Sequence, residues 1–198
     1  MKQLILASQS PRREMLLKQI GVSFKTHPSN IDENMTENVG PEDYVRSVAE
    51  RKAFKVKEYF CSRGHNFFVV LAADTVVVHE GVILGKPADE DHAFEMLSRL
   101  SGRWHEVMTG VSVLDGDEDK KLTCVEITKV KMRDLSPDEI WKYIRTGEPL
   151  DKAGAYGIQG IGALMVERIE GCFYNVVGLP LHRVSVMLSQ FGIKTVLG

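Results

Sequence analysis

The stretch Phe67-Phe68-Val69-Val70-Leu71-Ala72-Ala73-Asp74-Thr75-Val76-Val77-Val78-His79-Glu80-Gly81-Val82-Ile83-Leu84 decides the fold class. Residues 67–73 form an unbroken apolar run rich in β-branched side chains, which predicts a buried strand. Glu80-Gly81 separates two further apolar triplets, 76–78 and 82–84, the pattern of a two-residue hairpin turn. Asp74 is therefore expected at the end of a central strand, with the Thr75 hydroxyl beside it. Strand ends are where α/β folds present side chains to a cleft, so Asp74 is a candidate to hold a metal or activate water. Taken alone, an Asp-Thr pair also serves to end a strand and open a turn.

Toward the amino terminus, residues 4–7 read as a short buried strand. Ser10-Pro11 then reads as a helix start, Ser at the N-cap and Pro at the first helical position, with Gly21 ending the helix. Over residues 42–60 the apolar positions Val45, Val48, Ala49, Ala53 and Val56 recur at spacings of three and four, an amphipathic helix with Lys52 inside its apolar stripe. A buried ammonium must snorkel to water along its stem, the commoner outcome, or reach an anionic partner.

Toward the carboxyl terminus, residues 89–100 read as a helix, and 107–114 and 122–132 as strands around a charged turn. Ser136-Pro137-Asp138-Glu139 is a capping-box helix start, and Gly147 closes that helix. Beyond a loop at 151–162, residues 163–169 and 173–177 are expected to pair as a hairpin about Glu170-Gly171. A final helix then spans 181–191, capped by Gly192. The order is mixed α/β, and with no repeat, low-complexity run or Pro/Gly-rich linker a single domain over 1–198 is expected.

The chain has 198 residues, 43% of them hydrophobic and 26% charged, enough to bury one sizeable core. A net charge of -2 gives no electrostatic case for wrapping nucleic acid, which requires clustered, uncompensated Lys and Arg. Cys61, Cys124 and Cys172 are odd in number and widely spaced, fitting neither a disulfide framework nor a zinc pattern. The opening apolar run is too short for a signal peptide, and no segment approaches the roughly 20 apolar residues of a membrane span. A cytoplasmic protein without membrane partners is expected.

Several clusters could carry chemistry. Ser8-Gln9-Ser10-Pro11-Arg12-Arg13 sets two hydroxyls and two guanidinium groups at a helix N-terminus, a cradle for phosphates, although Ser-Pro caps followed by solvated arginines are equally common. Lys86, in Gly85-Lys86-Pro87, stands on a stiff turn suited to a fixed phosphate. Glu33, in a polar loop, could add an oxygen ligand for magnesium. In Glu148-Pro149-Leu150-Asp151-Lys152-Ala153-Gly154-Ala155-Tyr156-Gly157-Ile158-Gln159-Gly160, glycines suit close approach to a ligand, and Gln159 offers a donor and an acceptor to a base edge.

In this order, Ser8-x-Ser10-Pro11-Arg12-Arg13, Ala73-Asp74-Thr75, Gly85-Lys86-Pro87, Leu100-Ser101-Gly102-Arg103, Thr109-Gly110, Asp151-Lys152-Ala153-Gly154-x-Tyr156-Gly157-Ile158-Gln159-Gly160 and Val177-Gly178-Leu179-Pro180 closely resemble the Maf family. The likeness runs from Leu4 to about Phe191. Ala72 stands where many members carry Gly, and Arg51 precedes Lys52.

The resemblance implies a strongly curved mixed sheet flanked by helices, two lobes around a deep cleft, related to the inosine triphosphate pyrophosphatase architecture. It implies hydrolysis of dTTP and UTP, with CTP and modified pyrimidine nucleotides as further candidates, to the monophosphate and pyrophosphate. The resemblance makes Asp74 the proton acceptor; from the chemistry of the residues themselves, Asp74 and Glu33 would hold a divalent ion such as magnesium or manganese. Arg12, Thr75 and Gln159 would tune substrate choice, and Arg13, Lys52 and Lys86 would contact the triphosphate, with Ser8, Ser10 and Lys152 as further substrate contacts. Gln159 places the chain in the pyrimidine branch, since a sister branch acting on methylated GTP has an acidic residue there. The family suggests a homodimer. A nucleotide-sensing regulator of cell division, binding rather than turning over nucleotides, is the alternative.

Overall fold

The computed structural model describes residues 2–32 and 39–197. Its elements run β1 (Gln3–Leu6), α1 (Pro11–Gln19), β2 (Phe24–Thr26), α2 (Pro41–Cys61), β3 (Phe68–His79), β4 (Val82–Leu84), α3 (Glu90–Leu100), β5 (Trp104–Asp115), β6 (Lys121–Met132), α4 (Pro137–Ile144), β7 (Val166–Glu170), α5 (Phe173–Val177) and α6 (Leu181–Ser189). The strands form one mixed sheet in the order β2-β1-β3-β5-β6-β7, with β4 paired to β3. β1 is parallel to both neighbours, Leu4 lying opposite Phe24 and Val69. β2 gives almost no sequence signal, because Lys25 and Thr26 are exposed and only Phe24 is partly covered.

Local chemistry accounts for most elements. The stripe of α2 is buried as its spacing predicts, with Val45, Val48, Ala49 and Ala53 wholly covered. At α4 the Ser136 hydroxyl accepts from the Glu139 N–H while the Glu139 side chain accepts from the Ser136 N–H, so both halves of the capping box are present. Asp89 caps α3 by accepting from the His92 N–H at 2.8 Å. The β3–β4 hairpin turns on Glu80 and Gly81 at φ 50° and 76°, both positive as a tight primed turn requires, and pairs Val77 with Leu84.

Two expectations are corrected. Residues 163–169 and 173–177 do not form a hairpin: Ile161–Met165 is 3-10 helical, β7 pairs antiparallel with β6, and Phe173–Val177 is a short helix. The Phe-Tyr-Asn-Val-Val composition favours a strand, but the Cys172 carbonyl accepts from the Asn175 N–H, and the buried Asn175 amide donates to Val107 O and Thr128 Oγ1. Tertiary bonding overrides a propensity worth about 1 kcal/mol. Asp74 also does not end its strand. The β-branched run 76–78 extends β3 to twelve residues in all, leaving Asp74 near its middle.

The chain folds as two compact units, each assembled from separate stretches: Met1–Asp74, Thr109–Glu126 and Gly178–Gly198, and Thr75–Met108 with Ile127–Val177. The first unit buries Ile5, Ala7, Ala53, Val70 and Leu114 together, and the second Leu97, Leu100, Met132, Ile140 and Ile144. Among the described residues no helix is long and apolar enough to cross a membrane.

Candidate functional site

In the first unit, the parallel pairing of β1 with β3 continues past Leu6 through a hydrogen bond from the Ala7 N–H to Leu71 O at 2.8 Å. Ser8 is buried, and its hydroxyl accepts from the Ser10 N–H at 3.1 Å and from Arg13 Nη1 at 3.3 Å. The Ser10 side chain makes no capping bond of its own, so Ser8 organises the start of α1 from two residues upstream. Arg13 is buried, and its Nε donates to Gly178 O at 2.9 Å, which gives the closing Val177-Gly178-Leu179-Pro180 motif a structural task. Arg12, the preceding residue on α1, is half-buried.

Lys52 does not snorkel. Its ammonium donates to Asp74 Oδ1 at 2.7 Å, with 10% and 9% of the two side chains exposed. α2 can bring Lys52 this deep because it lies against a glycine: a Cβ on Gly110 of β5 would fall on the Val45 carbonyl. Thr109, which precedes it, is fully buried.

In the second unit, Thr75 is half-buried on β3 and Lys86 is exposed in the turn after β4. That turn is tied to the glycine-rich loop by a hydrogen bond from the Gly154 N–H to Gly85 O at 3.0 Å. Lys152 donates to Glu148 O and Asp151 Oδ1, each at 2.6 Å, and Gln159 is half-buried.

Two residues that the sequence reading assigned no role hold this loop. Glu148 Oε1 accepts from the Tyr143 hydroxyl at 2.9 Å and the Gly162 N–H at 3.0 Å; Oε2 accepts from the Ile161 N–H at 3.0 Å. Burial pushes the Glu148 carboxyl up, but these bonds outweigh it and hold it below the ordinary range. Nearby, His105 Nε2 lies 2.7 Å from the Tyr156 hydroxyl, and burial, with a smaller contribution from His79, lowers this imidazole to about 4. Sequence offered no signal for either arrangement beyond the presence of Glu148 and Tyr156 in the quoted loop.

Glu33 lies outside the described residues. Among those described, no group of three or more His, Cys, Asp or Glu side chains is gathered as an ion site. Magnesium is commonly held by one or two carboxylates completed by phosphate oxygens and water, a smaller set than such a group, and Asp74 already accepts from the Lys52 ammonium at Oδ1.

Helices on a mixed sheet, with an ammonium and a carboxylate drawn inside, define an α/β protein with opposite charges paired in its interior. Residues 3–191 match the Maf-like protein family, and the chain belongs to it. It is 53% identical over 192 residues to the dTTP/UTP pyrophosphatase of Caldicellulosiruptor bescii, an alignment covering 97% of this chain and 96% of the relative. It is 52% identical over 196 residues to that of Acetivibrio thermocellus, covering 98% of each. Among solved structures, the Ham1 protein of Staphylococcus aureus gives a TM-score of 0.42 at 14% identity, covering 67% of this chain and 73% of that one.

Proposed function

We propose that this protein hydrolyses dTTP and UTP to the nucleoside monophosphate and pyrophosphate. Relatives about half identical over nearly their whole length carry that activity in their names. The observation that carries the reading is the buried Asp74 carboxylate held 2.7 Å from the Lys52 ammonium. The ion pair fixes the carboxylate in place, and a fixed carboxylate can accept a proton from an attacking water. The water oxygen bonds to the α-phosphorus, the bond from that phosphorus to the bridging oxygen breaks, pyrophosphate leaves, and the water's proton passes to Asp74.

Lys52 fixes Asp74 and offsets the charge developing on the phosphoryl oxygens. Arg12 and Arg13, with the Ser8 and Ser10 hydroxyls at the start of α1, would contact the triphosphate. By the family resemblance Lys86 and Lys152 would be further triphosphate contacts, and Thr75 and Gln159 would select the base. Asp74, with Glu33, would hold a magnesium or manganese ion, which when bound supplies Lewis acidity toward the phosphate and the attacking water. Three free thiols suit the reducing cytoplasm, and sedimentation of the purified chain tests for a homodimer.

The deciding experiment incubates the chain with UTP, dTTP, CTP or GTP and magnesium, separating pyrophosphate from orthophosphate. Pyrophosphate from UTP and dTTP is expected; orthophosphate, or no turnover, overturns the proposal.

A further inference from the structure

We propose that Glu148 and Tyr143 are positioning residues that set the conformation of the loop carrying Gln159 and so govern which base is accepted; this rests on the function proposed above. The two side chains gather three backbone N–H groups on both sides of Gln159. Tyr143 Oη accepts from the Gly157 N–H at 3.2 Å, two residues before it. Glu148 accepts from Ile161 and Gly162, two and three residues after it. The Tyr143 hydroxyl joins the two halves by donating to Glu148 Oε1 at 2.9 Å.

The chemistry requires an ionised carboxylate. Glu148 takes three donors, and only an acceptor-only group with two oxygens can do so without turning an N–H toward another N–H. The loop passes tightly over it: Gly160 has φ 107°, and a Cβ there would lie 2.7 Å from Glu148 Oε2. Glu148 is itself fixed from behind. Its N–H donates to Thr146 Oγ1 at 3.2 Å, that hydroxyl donates to Tyr143 O at 2.6 Å, and the Lys152 ammonium donates to Glu148 O at 2.6 Å. Lys152 is thus tied to the same clasp that shapes the Gln159 loop. A base-reading amide on a loop discriminates only as well as its backbone is held, because misplacing it loosens the pairing with the base edge.

The test compares the wild-type chain with Glu148→Gln, Glu148→Asp and Tyr143→Phe. It measures kcat and KM for UTP, dTTP and GTP with magnesium, and amide hydrogen exchange at Gly157, Ile161 and Gly162. Glu148→Gln is expected to raise KM for UTP and dTTP about tenfold and narrow the preference over GTP, with kcat within about threefold of wild type. Exchange at Ile161 and Gly162 should accelerate, Glu148→Asp should recover part of the preference, and Tyr143→Phe should act in the same direction more weakly. A merely structural role predicts a parallel fall in kcat for every nucleotide with KM and preference unchanged, and that result overturns the proposal. Should Glu148→Gln fail to fold, Tyr143→Phe decides, since it removes a single hydroxyl. If the wild type releases no pyrophosphate from UTP or dTTP, the proposed function fails and the selectivity claim with it. Normal wild-type activity with unaltered preference in the folded variants overturns the role of Glu148 and Tyr143 alone.

Discussion

The Lys52 ammonium lies 2.7 Å from Asp74 Oδ1 with both side chains about nine-tenths buried, so each charge is the other's compensation inside the protein. Removing one partner of such a pair leaves an uncompensated charge, whereas removing both leaves a cavity to repack. Asp74→Asn keeps the shape and an acceptor for Lys52 but removes the proposed proton acceptor, so turnover should fall by a factor of about 100 or more. Lys52→Met strands the carboxylate and should lower stability by about 3 kcal/mol, read by urea unfolding. Adding Asp74→Leu to Lys52→Met should return much of that stability and none of the activity. A double variant no more stable than Lys52→Met would show that the two charges are not coupled.

Gly110 sets how closely α2 approaches the sheet. A methyl group there meets the Val45 carbonyl and the Arg46 nitrogen, backbone atoms that cannot rotate aside. Gly110→Ala should therefore destabilise by about 3 kcal/mol, near the upper end of overpacking costs, and displace Lys52 from Asp74. Urea unfolding together with kcat for UTP checks it; wild-type stability would mean that α2 shifts freely.

His105 makes stability depend on pH in a defined window. Burial lowers it from an ordinary 6.5 to about 4, so between these values the unfolded chain takes up a proton that the folded chain refuses. Stability should fall as pH drops from 6.5 to 4, by about 3 kcal/mol in all, and be insensitive to this group above 6.5. The carboxylates act lower. Glu139 is held at about 2, first by the Ser136 N–H and then by Arg133, so its contribution is present above 4.5 and lost only as pH falls below that value. Unfolding free energies across pH 4 to 7 should lose their slope above pH 4.5 in His105→Gln, while the steeper loss below remains.

Gln159 offers an amide that can both donate to and accept from a base edge, whereas a carboxylate in its place would only accept. Gln159→Glu should therefore lower kcat/KM for UTP and dTTP about tenfold or more while metal-dependent turnover of other triphosphates persists. An unaltered order of UTP, dTTP, CTP and GTP in a specificity panel would remove Gln159 from base selection.

Most of the frame was legible because its causes are local. The Glu80-Gly81 turn, the stripe of α2 and the capping box at Ser136 each carry their instruction within a few residues, and each formed as read, while the β-branched run at 67–73 formed a strand that begins at Phe68 and runs on to His79. For the last expected hairpin the cause of the difference was distant. Phe173–Val177 has strand composition, yet Asn175 is drawn to Thr128, 47 residues away, and the segment winds into a helix. β3 runs past Asp74 because nothing in Asp-Thr outweighs the valines that follow.

The candidate site divides in the same way. Sequence by itself determined which side chains were available, the family to which the chain belongs, and that Lys52 had to settle its charge in an apolar stripe. Tertiary structure alone chose Asp74 as the partner, turned Ser8 and Gly178 into the seat of Arg13, and made Glu148 the acceptor for the Gln159 loop. Helix and strand periodicity express interactions between near neighbours. A buried ion pair or a carboxylate shared among backbone amides depends on which distant segments the packed core brings within about 3 Å of each other, and local periodicity does not encode that distance.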